Sequence, residues 1–199
     1  MANPTIVRDI EGRLRLGDHL CSFYEDRKQQ FQIVIPFIKD GLRKREKCLY
    51  VVDENTAAEI SAGLLMHGIS VQHYLERSQL SIVTSRESYL RLGRFDANAM
   101  ISFISSALEE ALGQGYSGLR GAGEMSWILR DLDSLDDFFR YEERLSTAFR
   151  RLPVKLLCQY NTKKFFGNIL MQVLKTHPRV LLGLDLYENP FCEHLAKVD

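Results

Sequence analysis

The sequence predicts an α/β fold of three layers, a mostly parallel sheet with helices on both faces. Three observations predict it. Short apolar runs alternate with longer stretches of helical periodicity along the chain. Runs such as Cys48 to Val52 (CLYVV) are apolar at nearly every position, as strands buried on both faces must be. The 199 residues contain no linker-like break, which gives one domain large enough to bury a core without disulfides or metals.

The elements read in the order βαβαβαβαβαβ. His19 to Tyr24 (HLCSFY) is the first strand. From about Arg27 to Lys44, Phe31, Val34, Ile35, Ile38 and Leu42 recur at helical spacing. Pro36 removes one helix hydrogen bond, so a bend is expected there. Cys48 to Val52 is the second strand. Thr56 and Glu59 have the spacing of a capping box, and the helix they open ends near Gly68. Gln79 to Thr84 is the third strand. A helix over about Ala97 to Leu112 aligns Met100, Ile101, Ile104, Leu108 and Ala111, and Gly113 and Gly115 close it. The first half of Gly118 to Trp127 (GLRGAGEMSW) is the fourth strand. Ser134 opens a helix with Asp133, Asp136 and Asp137 at its start and Arg150 and Arg151 at its end, both matching the helix dipole. Pro153 stops it. Val154 to Tyr160 is the fifth strand, a helix from about Lys164 to Thr176 ends at His177-Pro178, and Val180 to Leu184 adds a sixth strand.

Composition narrows the function. Hydrophobic residues make up 45% and charged residues 26%, ordinary for a soluble globular chain. Lys plus Arg equals Asp plus Glu at 26 each, which argues against direct nucleic-acid binding. No apolar run approaches the roughly 20 residues that span a bilayer, and the N-terminus lacks the pattern of a secretion signal. Cys21, Cys48, Cys158 and Cys192 form no CxxC pair, so free thiols in the cytoplasm are expected.

Open parallel sheets bind ligands outside the carboxyl ends of their strands. That places Tyr24, Glu25 and Asp26 after strand one, Asp53 and Glu54 after strand two, Glu124, Ser126 and Trp127 after strand four, and Gln159, Tyr160 and Asn161 after strand five at the candidate site. Phosphate-binding signatures are missing: YEDRKQQ after the first strand has no glycine, and Glu25 and Asp26 would repel a triphosphate. Gly121 and Gly123 inside a strand mark a close backbone approach. Either a helix packs tightly there, or the glycines leave room for a small ligand beneath Glu124 and Trp127. His19 and Cys21 are two apart and share a strand face. Imidazole and thiolate both ligate zinc or copper, but two donors do not complete a site, and a core histidine beside a buried thiol has the same spacing. Cys158 joins them if strands one and five are neighbours. His177 reads as a helix-end residue meeting free carbonyls. Glu124 has no evident partner for acid–base work, so no enzyme is expected.

GDHLCSFYED, GEMSW, Tyr141-Glu142, CQYN, Thr176 to Pro178 (THP) and Asn189 to Phe191 (NPF) together, in this order and spacing, resemble the MEDS domain, the methanogen/methylotroph DcmR sensory domain. The resemblance runs over residues 16–191, leaving 1–15 as an N-terminal arm and 192–199 as a tail. It implies sensing of small hydrocarbon derivatives in prokaryotic signalling. It also implies output partners such as a transcription regulator with a helix-turn-helix, or a histidine kinase. It implies a distant likeness to RecA/KaiC-type ATPases with the phosphate loop lost, and it makes His19 and Cys21 an H-x-C contact to a ligand or metal. The expected function is a cytoplasmic sensor without catalysis that binds a small ligand and signals to an output module or partner. The alternative is a degenerate RecA-like domain that binds a nucleotide or a regulatory protein. The expected ligand contacts are His19, Cys21, Tyr24, Glu124, Trp127, Cys158 and Tyr160, with a metal ion at His19 and Cys21. A homodimer is an expected state, and no membrane contact is expected. A RecA-like order would set strand one between strands four and five, with Cys21 near both Gly121 and Cys158.

Overall fold

The computed structural model describes residues 12–192. Most of the predicted arm and tail, residues 1–11 and 193–199, lies outside the described residues. The strands are β1 (Asp18–Tyr24), β2 (Lys47–Val52), β3 (Leu80–Thr84), β4 (Leu119–Glu124), β5 (Val154–Asn161), β6 (Arg179–Leu182) and β7 (Asp185–Glu188). The helices are α1 (Arg27–Arg43), α2 (Ala57–Met66), α3 (Val71–Glu76), α4 (Ala97–Gly113), α5 (Leu135–Ala148) and α6 (Gly167–Thr176). The predicted α/β class holds: one sheet in the order β3-β2-β4-β5-β1-β6-β7, parallel except for the β6–β7 pair.

Local rules explain the elements. Asp26 caps α1 by accepting from the Gln29 N–H at 2.9 Å, and Thr56 and Glu59 form the reciprocal capping box of α2. α1 runs through Pro36. Two elements were not legible. α3 has six residues, too few to display a periodicity. The expected sixth strand is a hairpin, because Gly183 takes a φ of 59° and reverses the chain between β6 and β7.

Strand order corrects one expectation. β1 lies between β5 and β6, not between β4 and β5. Cys21 is therefore directly opposite Cys158, while Gly121 is one strand further away, opposite Leu156. The physical reason is that apolar patterning records burial but not neighbours. All eight positions of β5 are buried, which suits it to the sheet centre as well as β1.

Alternation along the strands divides the core in two. Cys21, Leu49, Val51, Leu156, Cys158 and Tyr160 face α4, α5 and α6. Leu20, Cys48, Tyr50, Ala122 and Leu157 face α1, α2 and α3. The buried Arg120 of β4 closes the amino-terminal end of the sheet. It pairs with Asp40 at 2.8 Å and Glu46 at 2.5 Å, and donates to the Phe37 carbonyl at 2.8 Å.

Candidate functional site

On the α5–α6 face, four side chains from four elements converge. β1 supplies His19, β5 supplies Cys158, α5 supplies Glu142, and the residue after α6 supplies His177. All four are buried, and one donor atom from each lies within 4.8 Å of the others. Glu142 Oε2 sits 3.0 Å from His19 Nε2 and 3.3 Å from His177 Nε2. Cys158 Sγ lies 3.5 Å from His19 Nε2 and 3.6 Å from Glu142 Oε2. The Tyr160 hydroxyl donates to Glu142 Oε1 at 3.2 Å.

The charges are set by this packing. Burial, with His177 alongside, pulls His19 down to about 4 against the opposing pull of Glu142. Burial works against the Glu142 charge, but the two imidazoles outweigh it and hold the carboxyl at about 2. Burial, with Glu142 next to the sulfur, pushes the Cys158 thiol well up. At neutral pH the cluster therefore holds a neutral His19, a carboxylate and a thiol.

A small cavity of about 30 Å³ adjoins this cluster. Gly121, Gly123 and Cys158 form its sheet side, and Met100, Ile104 and Tyr141 its helix side. Its lining is mostly apolar. A Cβ at Gly121 would sit 2.8 Å from Leu156 Cδ2, and one at Gly123 would meet the Tyr89 hydroxyl. The close approach is thus to Tyr89, which lies in a turn rather than a helix, and the gap lies beside Cys158 rather than beneath Glu124 and Trp127.

A model of the methanogen/methylotroph DcmR sensory domain, MEDS, matches residues 18–178. The chain belongs to the MEDS family. A relative is the transcriptional repressor DcmR of Methylorubrum extorquens, 24% identical over 174 residues, which cover 87% of this chain and 60% of the repressor. The matched part of the chain thus spans about 60% of that relative's length.

Within this MEDS domain the residues singled out in the sequence separate into three groups. His19, Cys158 and Tyr160 meet at the cluster. Cys21 is beside it, but its sulfur lies 4.0 Å from the Arg179 carbonyl, and it is not among the four converging donors. Cys158 lies diagonally across the sheet from His19, whose own register partner on β5 is Leu156, and the His19 ring reaches across that face to bring Nε2 within 3.5 Å of the sulfur.

Tyr24 and Glu124 lie instead at the carboxyl end of the sheet. Glu124 Oε2 accepts the backbone N–H groups of Asp53, Glu54 and Asn55 at 2.8, 2.6 and 3.0 Å. Its Oε1 accepts from Asn55 Nδ2 at 2.7 Å and from the Tyr50 hydroxyl at 3.0 Å. The Tyr24 hydroxyl donates to Glu54 at 3.4 Å, and the Ser126 hydroxyl also donates to Glu54. Trp127 belongs to a third group, an aromatic stack with Tyr89 at 4.8 Å and Phe95 at 5.0 Å.

Glu142 and His177 were not placed at the site by residue patterns. Tyr141-Glu142 and His177-Pro178 appeared among the family motifs, which was the available signal. His177 does meet free carbonyls as expected, through Nδ1 to Val173 at 2.8 Å. Its other nitrogen is what joins the cluster. No helix among the described residues is long and apolar enough to cross a membrane.

Proposed function

We propose that this MEDS domain senses a small, weakly polar molecule, a hydrocarbon derivative of a few heavy atoms, in the cavity beside Cys158. Its family and its repressor relative support a signal-sensing regulatory role. The observation that carries the finer reading is the cavity itself. Apolar walls with a few placed polar groups suit such ligands. A 150 Å³ cavity of similar character takes benzene, so about 30 Å³ limits the occupant to a much smaller molecule. Met100, Ile104, Tyr141 and Leu145 couple an occupant to α4 and α5, whose shift would carry the signal. The receiver is a transcription-regulating module. Nucleotide sensing is the weaker reading: the Asp26 carboxylate caps the α1 amino terminus, where a phosphate would otherwise be held.

The test is a titration of the full chain with one- to three-carbon compounds, followed by two-dimensional NMR. Saturable shifts are expected at Met100, Ile104 and Leu145. Gly121→Ala, whose methyl pushes Leu156 toward the cavity, should weaken binding at least tenfold while keeping the fold. Absence of saturable shifts in the unmodified chain, or equal affinity in Gly121→Ala, would refute the reading.

A further inference from the structure

We propose that His19, Glu142, Cys158 and His177 form a binding site for one divalent transition-metal ion of the zinc or cobalt class. The inference is independent of the small-molecule reading and concerns a donor set distinct from the His19–Cys21 pair.

Hydrogen bonding fixes the direction of the His177 imidazole and is compatible with the same direction in His19. The Val173 carbonyl can only accept, so His177 donates to it from Nδ1 at 2.8 Å. With its proton on Nδ1, an uncharged ring carries a bare lone pair on Nε2. That atom is fully buried and has no hydrogen-bond partner. Ser146 gives its proton to the Thr176 carbonyl at 3.2 Å and accepts from His19 Nδ1 at 2.9 Å. In that tautomer His19 also turns a bare Nε2 inward, whereas the opposite tautomer donates from Nε2 to Glu142 at 3.0 Å. Two lone pairs face one carboxylate oxygen and one sulfur. With both rings protonated on Nδ1, the Cys158 thiol proton, directed at Glu142, is the one proton these four atoms share. Outer hydrogen bonds that hold Nδ1 and aim Nε2 are the usual support of metal-ligating histidines.

A purely organic ion cluster fits less well. With each histidine's proton on Nδ1, a bond from Nε2 to Glu142 would require an imidazolium. The two rings are 4.1 Å apart between centroids. One such cation would balance the Glu142 carboxylate, and a second would leave net positive charge in the core.

Size and charge fit an ion instead. Bonds of about 2.0 to 2.1 Å to nitrogen and oxygen and about 2.3 Å to sulfur give tetrahedral edges of roughly 3.3 to 3.6 Å. Four of the six separations here run from 3.0 to 3.6 Å, and all six lie within 4.8 Å. One carboxylate, one thiolate and two neutral imidazoles neutralise a divalent ion. Mixed nitrogen, oxygen and sulfur donors favour zinc-type ions over calcium or magnesium. Binding displaces the Cys158 proton to solvent, so below the thiol's titration the affinity should rise about tenfold per pH unit. A surface cavity of about 240 Å³ lined by Arg15, Asp18, His19, Ser146 and Arg150 offers a route from solvent to the His19–Ser146 pair.

The test uses the full chain, stripped with a chelator and titrated with Co²⁺. The expected result is one ion per chain, a thiolate-to-cobalt charge-transfer band and a gain in thermal stability. Cys158→Ser should lose the band, Cys21→Ser should keep it, and His177→Gln should weaken binding at least tenfold. No stoichiometric binding in the unmodified chain would overturn the proposal without any variant. So would a band that survives Cys158→Ser, or one that disappears in Cys21→Ser. The readout involves no organic ligand, so its failure is separable from failure of the sensing reading.

Discussion

Glu124→Ala should remove a buried acceptor on which five donors converge. Three are the consecutive backbone N–H groups of Asp53, Glu54 and Asn55, and two are Asn55 Nδ2 and the Tyr50 hydroxyl. Asp53 and Glu54 are half-buried, so water can replace part of what their N–H groups lose. Tyr50 can turn toward Gln159, 3.5 Å away. The two donors of Asn55, a buried residue, have less recourse. Each orphaned buried donor costs about 1 to 3 kcal/mol, which gives about 3 to 5 kcal/mol for the site. Glu124→Gln keeps an oxygen for the backbone N–H groups but turns an NH₂ toward Asn55 and Tyr50, at about 1 to 3 kcal/mol. Denaturant unfolding with linear extrapolation measures both losses. Amide exchange at Asp53 to Asn55 should quicken in step, because Glu124 ties the β2–α2 loop to the end of β4. Co²⁺ binding should be unchanged. A loss under about 1 kcal/mol in Glu124→Ala, with unaltered exchange, would refute the reasoning.

Acid should destabilise the metal-stripped protein through His19. Between its ordinary value of 6.5 and its folded value of about 4, the unfolded chain takes up a proton that the fold refuses. Stability should thus fall by about 3 kcal/mol as pH drops through that window, and Glu142 should deepen the loss from about 4.5 toward 2. Urea midpoints against pH should lose the upper part of this slope in His19→Gln; parallel curves for the two proteins would contradict it. Arg120→Met should cost about 3 to 5 kcal/mol, because Asp40 and Glu46 stay buried with only Lys44 and Lys155 to balance them; a thermal midpoint within a degree of the original would count against this. Gly123→Ala should cost about 1 to 3 kcal/mol, since its methyl would meet Tyr89 and, at 2.8 Å, Met125 Cε. Gly121→Ala, opposed only by the tip of Leu156, should cost less in the same unfolding measurement.

The sequence by itself determined the layers. Strand and helix periods, the Thr56–Glu59 box and the apolar run Cys48 to Val52 of β2 are local signals, and each survives in the structure because neighbouring residues alone produce them. It also determined the family, since its short motifs keep their order and spacing along the chain. Strand order was beyond it. Whether β5 or β1 sits beside β4 depends on which crossover packs better, and both strands are equally apolar on the page. The site divided along the same line. His19 and Cys21 stood out because they are two residues apart, a separation any reader of the sequence can see. His19, Glu142, Cys158 and His177 meet only after β1, α5, β5 and the end of α6 are packed together. Their separations along the chain reach 158 residues, and no local period encodes a contact of that range. What selects it is the parallel pairing of β1 with β5, which puts His19 and Cys158 on one sheet face, and the partners of each Nδ1, the Val173 carbonyl for His177 and the Ser146 hydroxyl for His19.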